Sequence, residues 1–517
     1  MNRSSLAVII NPLTSIMTPR YSQSPWWRGI HLIAITGLAL RLILAFVSDN
    51  IYFPDELFQY LEQGHRIVFG YGYIPWEYRF GTRSYIIPGF ISGVLFLCKL
   101  LQIDDPSQYA LVVKAVFCFF SISLIYSVYV IVRNIASETA ARLAGILTCF
   151  WYELIYFAHK PTPEVLSTYL LLGALALAVS RPDYRRPLLF GLLCGLSFAI
   201  RLQYLPVLFV MAIAVYFTWR KHELVKSGLV FLAVIGMTGC LDYLTWGQFF
   251  SYYYQNYLFN YLYKTSELFG TMPAYFYLCA IAFVSMGIFC LTIPSSLFLI
   301  SMTWLPFLCV SINILSHSFL VHKEYRFILV SIPLLLILTA VPVTESITKY
   351  IVTAKQKYFY YLAVGIMISI SVAGLFDKLP FQRIIYPQPI YSSQNIIRSY
   401  TFLYKDPDMV AILNMDSQWW KTGGYYYLHR DIPIYFPNHL SDKNIRRNEI
   451  EKYVSHIICP AGTPDIKGFK PMNRIGDLEI RKQITPPTRY MIIDVNTRDV
   501  HQQGIDDLYV PMVKRRI

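Results

Sequence analysis

The sequence predicts a polytopic α-helical membrane protein with a small extramembrane α/β domain at its C-terminal end. Three observations lead there. The 517 residues are 55% hydrophobic and only 15% charged, with a mean hydropathy of +0.43, whereas soluble chains are about one quarter charged. Apolar windows recur up to about residue 376, several near the ~20 residues that cross ~30 Å of hydrocarbon. Beyond residue 376 the composition shifts. Pro380, Pro387, Pro389, Pro407, Pro433 and Pro437 punctuate strand-like runs at Val454–Cys459 and Tyr490–Val495.

Taken in order, the apolar windows predict spans near 30–48, 109–132, 140–157, 163–180, 187–201, 203–219, 225–241, 274–292, 296–315, 328–344 and 358–376, about eleven in all. The first is longer than a signal-peptide core and others follow it, so it reads as a retained helix. The stretch 86–101 is apolar but short, with Lys99 near its end, and reads as an interfacial or re-entrant helix. With Arg3, Arg20 and Arg28 on the inner side, Arg133, the Arg181/Arg185/Arg186 cluster, Arg220/Lys221/Lys226 and Lys349/Lys355/Lys357 all fall on that side. This agrees with the positive-inside rule. The expected division is a membrane domain over 1–376, with its first outer loop at 49–108, and an outer C-terminal domain over 377–517.

Many of the basic residues behind the formal charge of +14 sit in these short loops, which argues against a nucleic-acid partner. Eight of the nine cysteines lie in apolar segments and none has metal-ligand spacing, so they read as small core residues. No Walker-type phosphate loop or dinucleotide-binding glycine fingerprint is present. The string Asp406-Pro407-Asp408 lies among turn residues and reads as a turn.

The chemistry-bearing residues collect in the outward loops. Asp55-Glu56 directly follows the first span, amid Gln59, His65, Trp76, Glu77 and Arg83. A carboxylate at a membrane edge can take a proton from a sugar hydroxyl as general base. Alone, such a pair more often caps a helix start, here one near Leu57. A second group, His322-Lys323-Glu324-Tyr325-Arg326-Phe327, follows His317. Lysine and arginine bind phosphate through charge and bidentate hydrogen bonds. The ordinary reading is a basic flank that snorkels to headgroups, but the outer side disfavours such cations. The loop 242–272 offers Asp242, Asn256 and Asn260 to sugar hydroxyls, and an aromatic belt would explain its tyrosines. Arg201 at the outer end of a span suits phosphate or carboxylate, with snorkelling equally open. His159-Lys160 and Glu164 are weaker candidates of the same kind.

The run Phe53-Pro54-Asp55-Glu56-Leu57-Phe58-Gln59, with Glu62, His65-Arg66, Gly70-Tyr71-Gly72, Trp76-Glu77-Tyr78 and Arg83-Ser84, resembles the first luminal loop of glycosyltransferase family 22. His322-Lys323-Glu324-Tyr325-Arg326-Phe327 is similar to that family's His-Lys-Glu-x-Arg-Phe signature. Asp242 to Tyr277 resembles its Asp…Tyr-Gly…Asn…Asn…Tyr-Gly-x-x-Pro pattern. Gly423-Gly424-Tyr425-Tyr426-Tyr427-Leu428-His429 resembles a stretch of its subgroup that adds the third mannose of the glycosylphosphatidylinositol (GPI) anchor. Phe53 stands where the family usually has His, Trp246 replaces the Tyr of Tyr-Gly, and Pro161 to Glu164 differs from the eukaryotic Arg-Thr-x-x-Asn pattern.

The resemblance implies a GT-C fold and a mannosyltransferase that uses a polyprenyl (dolichyl)-phosphate mannose donor and a glycolipid or GPI-like acceptor. It implies an inverting displacement that forms an α-mannoside on the luminal or periplasmic face. The compartment would be the endoplasmic reticulum in a eukaryote and the inner membrane in a bacterium. Asp55 would act as base, with Glu56 beside it in a different role, since adjacent like charges repel. His322, Lys323, Arg326 and Arg201 would bind the donor phosphate. Gln59, His65, Trp76, Glu77, Arg83, Glu164, Asp242, Asn256, Asn260 and Glu324 would line the substrate site. Cations on the phosphate make a divalent metal unnecessary, so no metal or other cofactor is expected. The alternative is a lipid-linked-sugar flippase or transporter, which would need the cations but no base.

Overall fold

The computed structural model describes residues 27–180, 183–350, 354–379, 393–416, 421–437 and 447–490. Among them, four helices are long and apolar enough to cross a membrane: Gly29–Val47, Pro106–Ile135, Lys221–Trp246 and Ile300–Ser318. Two bent pairs, Tyr152–His159 with Pro163–Val179 (114°) and Phe276–Val284 with Ile288–Leu297 (107°), bring the number to six if each is one span. The other apolar helices, including Arg186–Ile200 and Ile86–Leu100, are shorter.

Several of the expected windows differ in local structure from a single straight helix. The window 140–157 overlaps Glu138–Phe150, a helix of 13 residues, and then holds a separate turn of helix at Tyr152–Tyr156. The window 274–292 breaks where Met286 and Gly287 take positive φ of 50° and 80°, a conformation that stops a right-handed helix. The expected loop 242–272 is partly helical. The Lys221–Trp246 helix runs through Asp242 and ends at Gly247 with φ 71°, and Ser251–Tyr257 is helical again. The short helix over 86–101 is found as Ile86–Leu100. Arg3, Arg20 and Arg181 lie outside the described residues.

The chain divides into two compact units that interleave in sequence. One comprises 1–44, 115–250 and 266–390, the other 45–114, 251–265 and 391–517. Residues 49–108 thus share a unit with 391–517.

The first unit is helical, and small residues set its packing. Gly191 and Gly195, one turn apart on Arg186–Ile200, meet the Lys221–Trp246 helix. A Cβ on Gly191 would stand 2.2 Å from the Ser227 carbonyl oxygen, and one on Gly195 2.8 Å from Val234 Cβ. Small residues at this spacing let helix backbones approach where lipid supplies no hydrophobic drive. Ser137 caps Glu138–Phe150 by accepting the Ala140 N–H. Pro163 opens Pro163–Val179, where its missing N–H is not needed.

In the second unit, residues 49–85 fold into short helices. A π-helix spans Glu56–Leu61, every residue of it buried, and continues directly into Glu62–Phe69. The C-terminal residues form a five-stranded mixed sheet. Its strands are β1 (Ile412–Asn414), β2 (Ile434–Tyr435), β3 (His456–Pro460), β4 (Phe469–Ile475) and β5 (Leu478–Gln483), in the order β2-β1-β3-β5-β4. β1 pairs in parallel with β2 and β3, and the other pairs are antiparallel. Leu413, Tyr435, Val454, Ile457 and Phe469 pack in its core. The run Val454–Cys459 becomes β3. The run expected over Tyr490–Val495 lies, beyond Tyr490, outside the described residues. Asp406 is a turn residue that accepts the Asp408 N–H at 2.9 Å and binds Lys482 and His456.

Candidate active site

In the second unit, the residues after the first span fold into a buried group of acids and a guanidinium. Asp55 precedes the π-helix, but its side chain does not cap it, so the ordinary role of a loop acid falls away. Successive helical residues point about 100° apart, and the two carboxylates separate accordingly. Asp55 lies in the fields of Glu77 and Arg83. Glu56 is buried, accepts the Tyr52 N–H at 3.3 Å, and lies in the field of Tyr426 and Tyr427.

Gln59 joins the partners of Asp55. Its Nε2 donates to Glu77 Oε1 at 2.6 Å, and its Oε1 accepts from Arg83 Nε at 2.9 Å. Burial drives the Glu77 carboxyl up to about 7, with Arg83 opposing and Asp55 reinforcing. Burial disfavours the charge on Arg83, but Tyr60, Glu77 and Asp55 outweigh it and raise its pKa. Asn256 Nδ2 donates to the Thr82 carbonyl at 3.4 Å, and Trp76 packs on Phe259 with ring centroids 5.8 Å apart. These contacts bring the 251–265 segment to the same wall. Asn260 donates to the Asn256 carbonyl of its own helical segment.

His65 does not line this group. It is fully buried, and its Nε2 is hydrogen-bonded to His429 Nδ1 at 2.9 Å. Burial pushes His65 down to about 3 and His429 to about 4, so both rings are neutral at pH 7. Sequence reasoning gave Glu62 no role, yet its buried carboxylate accepts three backbone N–H groups, from Tyr73, Tyr425 and Tyr426. The available signal was an acid inside an otherwise buried helical run, paired in the motif set with a distant Gly-Gly-Tyr.

The first unit holds the second group. Glu324 accepts from Arg326 Nε at 2.7 Å and pairs with His322 Nε2 at 3.1 Å, while His322 Nδ1 meets the Gly270 carbonyl at 2.8 Å. Burial disfavours the Glu324 charge, but Arg326 and His322 hold its carboxyl well below the usual range. The His322 ring is raised against its own burial, by Glu324 and the Gly270 carbonyl. Lys323 Nζ donates to the Met272 carbonyl at 3.0 Å and to the Leu320 carbonyl. Glu324 thus joins His322 and Arg326 from within the string.

Arg201 and Glu164 come together here. They form an ion pair at 2.6 Å, with the guanidinium carbon 4.7 Å from the centre of the Phe327 ring. Arg201, expected on the donor phosphate, is therefore held by a buried carboxylate in this structure. His317, Tyr204 and Tyr277 ring the same spot, with centroids of Tyr204 and Tyr277 at 6.2 and 6.4 Å from His317. Asp242 is buried on the last turns of its helix.

Residues 32–429 match the family described as Alg9-like mannosyltransferases. GPI mannosyltransferase 3 of Yarrowia lipolytica is 24% identical over 426 residues, 79% of this chain and 78% of that one. The Trypanosoma brucei brucei protein of the same name is 28% identical over 393 residues, covering 65% and 68%. Human GPI alpha-1,2-mannosyltransferase 3 is 23% identical, covering 71% and 68%. Among solved structures, ArnT from Cupriavidus metallidurans bound to undecaprenyl phosphate superposes with a TM-score of 0.57 at 11% identity, over 89% of this chain and 98% of that one. The archaeal oligosaccharyltransferase AglB from Archaeoglobus fulgidus gives 0.51 at 10% identity, over 85% and 69%. At these identities the structural likeness concerns the fold.

Proposed function

The chain belongs to the Alg9-like mannosyltransferase family, and we propose that it moves mannose from a polyprenyl-phosphate mannose donor to a glycolipid acceptor with inversion. Membership makes it a glycosyltransferase, and its apolar helices and GT-C neighbours make it a multi-pass membrane protein. Relatives named for the GPI anchor support a GPI-like glycan as acceptor. The reaction lies on the luminal or periplasmic face.

The observation that carries the mechanism is the hydrogen-bonded group of Gln59, Glu77 and Arg83, with Asp55 acting electrostatically on both Glu77 and Arg83. Asp55 takes the proton from the acceptor hydroxyl as that oxygen attacks the anomeric carbon. Gln59 fixes Glu77 and Arg83 behind it. His322, Lys323 and Arg326 bind the lipid phosphate and stabilise its charge as it leaves, which requires no divalent metal. Glu324 holds His322 and Arg326 in register for this. Arg201, through Glu164 and Phe327, supports the same string.

Asp55→Asn tests the reading. It should abolish transfer of labelled mannose to a panel of glycolipid acceptors while leaving donor binding largely intact. Near-normal transfer by the variant would remove Asp55 as base, whereas a wild type that binds the donor and transfers no mannose would favour a lipid-sugar flippase, which needs the cations alone.

A further inference from the structure

Asp55 and Glu56 are neighbours on a helical turn, so a rotation of about 100° would exchange them. Something must fix that rotation. Glu62 lies where the π-helix passes into the next helix, and its own N–H bonds the Leu57 carbonyl. Its carboxylate reaches across 363 residues of sequence to the short helix Gly424–Leu428. Oε1 accepts the N–H groups of Tyr73 and Tyr425 at 3.0 and 3.2 Å, and Oε2 that of Tyr426 at 2.8 Å.

The backbone is shaped around this carboxylate. A Cβ on Gly72 would stand 3.2 Å from Oε1, and one on Gly424, at φ 56°, 2.8 Å from Oε2. Two further ties hold the same partners. His65 bonds His429, and the Tyr109 hydroxyl donates to the Tyr426 carbonyl. The short helix also packs against the π-helix itself, with Tyr426 and Tyr427 in the field of Glu56 at its start.

We propose that Glu62 is a positioning residue: by tying the π-helix to Gly424–Leu428 it sets the rotation that turns Asp55 toward Arg83 and Glu77 and Glu56 toward Tyr426 and Tyr427. This rests on the reading of Asp55 as base and extends it to the C-terminal residues. The Gly423–His429 segment then forms part of the catalytic apparatus without touching the reacting atoms.

The test is carbodiimide labelling of carboxyl groups on the purified full chain in lipid nanodiscs, read by peptide mass spectrometry, beside steady-state transfer kinetics. Glu62→Gln and Gly424→Ala disturb the contact from its two sides. Ile457→Ala, in the core of the C-terminal sheet, is a control that destabilises without touching the tie. In the wild type Asp55 labels in preference to Glu56. Both variants should bring the ratio toward unity and lower kcat by about a hundredfold, the scale of a 1 Å misplacement, with the donor KM held within a small factor. The control should lose melting temperature and keep the ratio. If Glu62→Gln does not fold, Gly424→Ala decides. An unchanged ratio in the folded variants overturns the proposal, as does the same shift in Ile457→Ala. A shifted ratio in a protein whose wild type transfers no mannose would instead overturn the reaction and leave the positioning standing.

Discussion

Gln59 is the bridge between the buried Glu77 carboxylate and the Arg83 guanidinium, and Gln59→Leu measures what that bridge does. The substitution keeps the side chain's bulk and deletes both hydrogen bonds, at 2.6 and 2.9 Å. Each bond runs to an ionisable partner, and bonds to charged groups contribute about 1.5–3 kcal/mol. The gross loss is about 3–6 kcal/mol. Glu77 and Arg83 attract each other and can close part of the gap, which reduces the loss to about 2–4 kcal/mol. If the bridge holds the charges around Asp55 for the transition state, kcat/KM falls by about thirtyfold to a thousandfold. The assay is transfer of labelled mannose by Gln59→Leu, Arg83→Met and the double variant. Partners in one network should couple by about 0.5–3 kcal/mol, the double variant losing less than the sum. Additivity within about 0.5 kcal/mol, the behaviour of independent sites, would refute the bridge.

Three further outcomes are expected. Gly191→Val should lower the melting temperature through an overpacking loss of about 1–3 kcal/mol, because its Cβ meets the Ser227 carbonyl, while Gly228→Ala, with nothing within 4 Å, should not. The His65–His429 pair should loosen in acid. Both folded pKa values, about 3 and about 4, lie below the ordinary histidine value, so the unfolded state binds more protons and their stabilisation is lost as pH falls below about 6.5. Glu62 and Glu77, driven by burial up to about 7, act with the opposite sign: their contribution declines as pH rises from about 4.5 to 7. Hydrogen-exchange protection across 423–429, taken relative to the intrinsic exchange rate at each pH, isolates the histidines, falling from pH 6.5 to 5 in the wild type and staying flatter in His65→Asn. Finally, mannosyl transfer should persist in EDTA, and complete loss restored by magnesium or manganese would show that cationic side chains alone do not hold the leaving phosphate.

Particular residues show where sequence reading succeeds. The short helix after the first outer segment was legible because a run too short to span, with Lys99 at its end, has few other places to go. β3 was legible from a β-branched run between turns. The breaks inside the apolar windows were not, since hydropathy measures composition and is blind to backbone turns such as Met286-Gly287. The cation string was legible as a cluster of charges just ahead of an apolar run. Its internal order was not, because the pairing of Glu324 with both His322 and Arg326 depends on side-chain direction.

The sequence by itself determined the class of the molecule, the acid pair after the first span, and the cation string, because apolar content and local spacing need no distant partner. Only the tertiary structure decided which carboxylate stands beside Arg83, that His65 binds His429, that Arg201 binds Glu164, and that Glu62 gathers three backbone N–H groups. A buried polar group must find a partner wherever the fold supplies one. Those partners lie tens to hundreds of residues away, where local pattern carries no information.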